Sequence, residues 1–112
     1  MSQDMSESAL EKLAAIIKAR RGASAEDSYT KRLLDQAPAK PAQKLGEEAV
    51  EVVVAALAQD KQALVGETAD LLYHLLVVLE SRDVTLADVY GELERRMEST
   101  ANGQENEKPA SV

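Results

Sequence analysis

Apolar residues recur at helical spacing along almost all of this chain, and nowhere do they alternate as a strand would require. Leu10, Leu13, Ala14 and Ile17 share one face of a first helix expected from about Ser8 to Arg21. Ser8 and Glu11 form a capping box at its start, and Gly22 stops it. After a loop at 22–27, Ser28-Tyr29-Thr30 opens a short helix through Leu33 and Leu34. Ala37-Pro38-Ala39-Lys40-Pro41 reads as a linker punctuated by two prolines. A longer helix follows from about Pro41 or Ala42 to Ala58, with Leu45, Ala49, Val52, Val53 and Ala56 as its apolar stripe. Asp60 is placed to cap the next helix, about Lys61 to Glu80, which is apolar nearly all round through Leu64, Leu71, Leu72, Leu75, Leu76, Val78 and Leu79. That makes it the central element. Beyond a turn at Ser81–Val84, Thr85 and Asp88 cap a last helix with Leu86, Val89, Tyr90, Leu93 and Met97 facing inward. The tail from Ser99 to Val112 is polar, lacks periodicity and is expected to be disordered.

This pattern predicts an all-α protein: one domain over residues 1–98, a bundle of about four to five helices. One chain of this length offers few helices to cover the 61–80 segment, so a second subunit is expected to cover part of it. Composition agrees. With three Tyr and no Phe or Trp, the core must be built from Leu, Val, Ile and Ala, which suits helix-on-helix packing. The absence of cysteine excludes disulfides, zinc–thiolate sites and thiol catalysis. No apolar run approaches the length of a membrane span, and the first residues are polar and acidic, unlike a secretory signal. A cytoplasmic protein with no membrane partner is the expectation.

Charge changes the picture. The net charge is −7, and residues 44–80 hold seven acids against only Lys44 and Lys61. The negative charge is therefore densest where the apolar residues are densest, which is odd for a surface that merely solubilises. No general attraction for nucleic acid is expected. Within this segment Glu47, Glu48 and Glu51 lie on one helix, and Glu67 and Asp70 on the next. A spacing of three puts Glu48 with Glu51, and Glu67 with Asp70, on one face. Two such faces turned together make a cage of oxygen ligands that suits a hard cation such as Mg²⁺. Two unit charges 4 Å apart repel by about 4 kcal/mol at an effective dielectric near 20, so clustered carboxylates need a cation or protons.

Each feature has a plainer explanation. Glu47, Glu48 and Glu51 also suit a solvated helix face, since Glu forms helices well. Glu67 and Asp70 resist that explanation, because no Lys or Arg lies between Lys61 and Arg82 to partner them. His74, on the same polar line as Glu67 and Asp70, suits a satisfied core group or one that orients a carboxylate. It could also touch a substrate phosphate. Arg20 at a helix end answers equally to the macrodipole or to phosphate binding. Ser28 and Thr30 serve as a helix cap or as phosphate-binding hydroxyls. Lys31 and Lys44 are further bases for phosphate oxygens, Lys44 the best placed, one turn before Glu47 and Glu48.

Glu47-Glu48-x-x-Glu51 followed by Glu67-x-x-Asp70 resembles the motif of the all-α nucleoside triphosphate pyrophosphatases, the MazG-like superfamily. Within it, Ser28-Tyr29-Thr30 with Leu33-Leu34, the run Lys44 to Val53, and Ala69-Asp70-Leu71-Leu72-Tyr73-His74 are most similar to the phosphoribosyl-ATP pyrophosphohydrolases. The resemblance covers about residues 8–97. It departs after Leu34, where the family often has a glycine and this chain has Asp35-Gln36-Ala37-Pro38. The resemblance implies hydrolysis of phosphoribosyl-ATP to phosphoribosyl-AMP and pyrophosphate, the second step of histidine biosynthesis, with Mg²⁺ and a homodimer or higher oligomer. Glu48, Glu51, Glu67 and Asp70 would then be metal ligands, and Glu47 the base that takes a proton from the attacking water or a further ligand. A house-cleaning nucleotide pyrophosphatase would use the same cage with another base pocket. A non-enzymatic helical assembly module would use the acidic stripe as a solvated or partner-binding face.

Overall fold

The computed structural model describes residues 7–101, which form five α-helices and one 3-10 turn, with no strand among the described residues. Helix α1 spans Ala9–Ala19, and the 3-10 turn Arg20–Gly22 follows it. Ser8 and Glu11 close the capping box in both directions. Helix α2 spans Tyr29–Asp35 and is capped by the Ser28 hydroxyl, which accepts from the Lys31 N–H. Helix α3 spans Ala39–Ala58. It begins earlier than the prolines suggest. The Ala37–Pro38 peptide is cis, and Pro41 sits buried in the first turn of α3, where a helix has no use for the missing N–H.

Helix α4, Lys61–Ser81, is capped by Asp60, whose carboxylate accepts from the Ala63 N–H at 2.9 Å. The two-residue connection folds α3 and α4 into an antiparallel hairpin, the most extensive helix pair in the molecule. By length and composition α4 could cross a membrane, with a mean hydropathy of 1.3 over its most apolar window. This differs from the sequence expectation, because average hydropathy tolerates the two carboxylates that interrupt the run. Those carboxylates are what a membrane-spanning helix would find costly.

Helices α1 and α2 pack against the C-terminal half of α4 and make the core. Ile17, Leu33, Leu76 and Val77 are buried together, with Leu10, Leu13, Ala14, Leu34, Tyr73, Leu79 and Leu86 around them. Arg21 fastens the far end: its guanidinium donates to the carboxylate and carbonyl oxygen of Glu80, and Asp83 adds a second charge at 3.4 Å. Asp83 takes the left-handed conformation, φ 59°, that turns the chain out of α4.

Helix α5 spans Leu86–Ala101, so residues 99–101 of the expected tail are helical, and the rest of that tail lies outside the described residues. Thr85 and Asp88 bond each other reciprocally at its start. Glu92 is paired with both Arg95 and Arg96, which hold its carboxyl down to about 2. Beyond Leu86 this helix contacts the other helices only sparsely, and Leu93 and Met97 are exposed rather than inward.

The hairpin also differs from expectation in its facing. In α3 the residues turned to the rest of the chain are Pro41, Leu45, Glu48, Val52 and Ala55, while Ala49, Val53 and Ala56 are exposed. Only the second half of α4 is well covered, with His74, Leu76 and Val77 buried.

Candidate active site

Antiparallel pairing explains how the carboxylates meet. Glu48 lies 11 residues before Gln59, and Asp70 lies 10 after Asp60. At 1.5 Å per residue both stand roughly 15 Å from the connection. Glu51 and Glu67, 8 and 7 residues from it, form the level nearer the turn. Glu48, Glu67 and Asp70 each offer an oxygen within 4.8 Å of the others. Glu51 is exposed and outside that group, yet its charge acts on Glu67. The Glu67 carboxyl is held above its ordinary value, first by lost hydration and then by the charges of Glu51, Asp70 and Glu48.

Glu47 stands apart on the neighbouring row of α3. Adjacent helical residues are about 100° apart, so Glu47 and Glu48 cannot both face α4. The Gln43 amide donates to Glu47 at 2.9 Å, and the Lys44 ammonium lies 3.3 Å from its other oxygen. Both hold the Glu47 carboxyl below its ordinary value, Gln43 more strongly, and Glu47 in turn raises Lys44.

The remaining candidates gather around α2. The Ser28 hydroxyl is buried and serves as the helix cap. The Lys31 ammonium pairs with Asp35 one turn on. The Thr30 hydroxyl bonds the Tyr73 hydroxyl across to α4. Arg20 is exposed, and its charge is felt at that Tyr73 hydroxyl. His74 is buried, with Nδ1 2.8 Å from the Asp70 carbonyl oxygen and Nε2 3.4 Å from the Tyr29 hydroxyl. Tyr29 and Tyr73 have no place in the motif reasoning from charge, yet their hydroxyls join α2 to the helix that carries Glu67 and Asp70. Their signals in the sequence are their places in the Ser28-Tyr29-Thr30 and Leu72-Tyr73-His74 segments that carry the family resemblance, beside the candidate polar residues Thr30 and His74.

The arrangement is an all-oxygen group on two antiparallel helices, bordered by Lys44 and a hydroxyl-rich seam. It can hold a hard divalent cation beside an anionic substrate. Residues 10–97 match the family described as phosphoribosyl-ATP pyrophosphohydrolase. The chain is 55% identical over 89 residues to the phosphoribosyl-ATP pyrophosphatase of Cereibacter sphaeroides, covering 80% of this chain and 86% of the relative. It is 48% identical over 105 residues to the enzyme of the same name from Agrobacterium fabrum, covering 94% and 98%. Against that from Paracoccus denitrificans it is 54% identical over 87 residues, covering 78% and 81%. Motif, fold and whole-length similarity agree, and the chain belongs to the phosphoribosyl-ATP pyrophosphohydrolase family.

Proposed function

We propose that this chain hydrolyses the α–β phosphoanhydride of phosphoribosyl-ATP, giving phosphoribosyl-AMP and pyrophosphate, as the second step of histidine biosynthesis in the cytoplasm. The observation that carries this reading is the convergence of Glu48, Glu67 and Asp70 in a chain with these relatives. The donor set fits Mg²⁺: the group offers carboxylate oxygens only, and both nitrogens of His74 are engaged elsewhere. Glu48, Glu67 and Asp70 would hold the ion, with Glu51 completing the set. When bound, the ion neutralises triphosphate charge and makes a water easier to deprotonate.

The chain's own residues supply the rest. Lys44 is the cation nearest the cluster on α3, and triphosphate oxygens compete with Glu47 for it. Release from Lys44 frees the Glu47 carboxylate to take the proton of the attacking water. The water oxygen bonds to phosphorus, the bridging P–O bond breaks, and pyrophosphate leaves with the bridging electrons. Arg20 and the Thr30–Tyr73 hydroxyl pair would serve the substrate's other phosphate oxygens.

Pyrophosphate release from phosphoribosyl-ATP, measured beside the common nucleoside triphosphates with and without Mg²⁺, tests the reading. The expected result is Mg²⁺-dependent turnover of phosphoribosyl-ATP far above the others. Equal turnover of ordinary triphosphates would favour a house-cleaning enzyme, and none at all an assembly module.

The working unit is proposed to be a homodimer. Val50, Val53, Val54 and Leu57, at i, i+3, i+4 and i+7 of α3, are all exposed, Leu57 at 83%. Val65 and Leu72, seven residues apart on α4, are exposed as well. An apolar helix face left open to water is uncommon on a monomer. Sedimentation velocity at micromolar concentration should show a dimer or larger species, and Leu57→Lys with Val53→Asp should shift it toward monomer. A parent chain that sediments as a monomer would remove this part of the reading.

A further inference from the structure

The seam between α2 and α4 meets α4 at Tyr73 and His74, one helical turn beyond Asp70 of the carboxylate cluster. A carbonyl oxygen only accepts, so the His74 Nδ1 that lies 2.8 Å from the Asp70 carbonyl carries a hydrogen. In the neutral ring Nε2 is then the acceptor for the Tyr29 hydroxyl at 3.4 Å. The same Asp70 carbonyl is the intrahelical acceptor for the residue four positions on, which is His74 itself. Backbone and side chain of His74 thus close on one helical turn, the turn that presents the Asp70 carboxylate.

Tyr29 holds the imidazole from the first residue of α2. The rings reinforce the contact. Tyr73 meets His74 edge-on with centroids 4.8 Å apart, and Tyr29 meets it edge-on at 6.2 Å. Tyr73 is secured in turn by Thr30. This seam opposes a specific strain. Glu48, Glu67 and Asp70 repel one another when no cation is bound, and α4 is braced by both α1 and α2, with α2 holding it at Tyr73 and His74.

We propose that His74 and Tyr29 are positioning residues, which key α2 to the turn of α4 bearing Asp70 and thereby set the affinity of the cluster for its divalent cation. The inference rests on the metal-dependent reading above. It goes beyond that reading in giving His74, which has no part in the steps above, a role at the cation site. Groups that orient metal-binding side chains typically change metal affinity by about 10–100-fold when lost.

The test uses Mn²⁺, which shares the octahedral oxygen preference of Mg²⁺ and can be counted as free ion by paramagnetic resonance. His74→Leu should weaken Mn²⁺ binding about 10–100-fold. His74→Asn, whose amide can still donate near the Nδ1 position, should recover part of that loss. Tyr29→Phe, which deletes one hydroxyl from an exposed helix start, should weaken binding by a few-fold. Tyr29→Phe with His74→Asn should be no worse than the weaker-binding single variant, since both delete the same Tyr29–His74 bond. With phosphoribosyl-ATP, each variant should need more Mg²⁺ for half-maximal rate and recover as Mg²⁺ is raised. Unchanged Mn²⁺ affinity in His74→Leu and Tyr29→Phe overturns the proposal. So does a loss of rate that high Mg²⁺ leaves in place, which would mark His74 as a group touching substrate. If His74→Leu fails to fold, Tyr29→Phe and the His74→Asn pair decide. A parent protein that binds Mn²⁺ but releases no pyrophosphate fails the functional reading alone, and the affinity series still decides this one.

Discussion

Asp70→Asn should abolish pyrophosphate release from phosphoribosyl-ATP, by about 100-fold or more, while helical content stays unchanged. Glu48→Gln and Glu67→Gln should do the same. The amide keeps the size and helical placement of each side chain but removes the negative charge that attracts a cation into a group 4.8 Å across. Asp70 is exposed and Glu48 and Glu67 are partly exposed, so no core packing is lost. Glu47→Gln separates the roles. If Glu47 takes the proton, its loss lowers turnover with cation affinity intact, because it stands outside the cluster beside Lys44 and Gln43. Steady-state rates over a Mg²⁺ titration, with circular dichroism as the fold check, decide these cases. Full Mg²⁺-dependent turnover in Asp70→Asn would sink the metal-site assignment.

The second large effect is thermal. A ligand bound only by the folded chain stabilises it by about 2.7 kcal/mol at a hundredfold excess over its Kd. For a domain of this size that corresponds to a rise in Tm of roughly 10–20 °C. The carboxylates are far apart in the unfolded chain and bind the ion weakly there. Saturating Mg²⁺ with a non-hydrolysable substrate analogue should therefore raise Tm, and Glu67→Gln/Asp70→Asn should not respond.

The metal-free variants carry an opposite sign. Glu67 is held above its ordinary value in the fold, so its ionised form is less favourable there than in the unfolded chain. That contribution to stability is lost as pH rises from the unfolded value through the folded one. Metal-free Glu67→Gln should accordingly melt no lower than metal-free parent. An equal Mg²⁺-induced rise in the double variant would point to general screening of net charge.

The elements were legible where their causes are local. Ser8 with Glu11, Ser28, Asp60, and Thr85 with Asp88 each act within three residues, and each caps the helix that its sequence position predicts. Pro41 misleads, because the same residue punctuates a linker and fits the first turn of a helix. The facing of α3 was not legible. It carries apolar residues on two sides, Leu45 and Val52 on one, Val50, Val53, Val54 and Leu57 on the other, and periodicity cannot say which side meets its own chain.

The same phase decides the site. Five acids stood out by spacing, but the crossing of α3 on α4 brings Glu48 inward and leaves Glu47 tied to its own helix. Tyr29 and His74 are 45 residues apart, and their contact exists only once α2 has docked.

Helix α5 is held at one end by Leu86 and the Thr85–Asp88 box, and beyond that mainly by its own Glu92–Arg95–Arg96 triad. Its backbone amides therefore open without the α3–α4 hairpin having to unfold, and they exchange hydrogen at a rate set by local fraying. If a second copy covers Leu93 and Met97, that opening becomes coupled to dissociation. Exchange along 86–101 then slows as protein concentration rises, while exchange at Val77 does not, so one isotope-labelling series would read the assembly equilibrium and the global stability from two ends of the same chain.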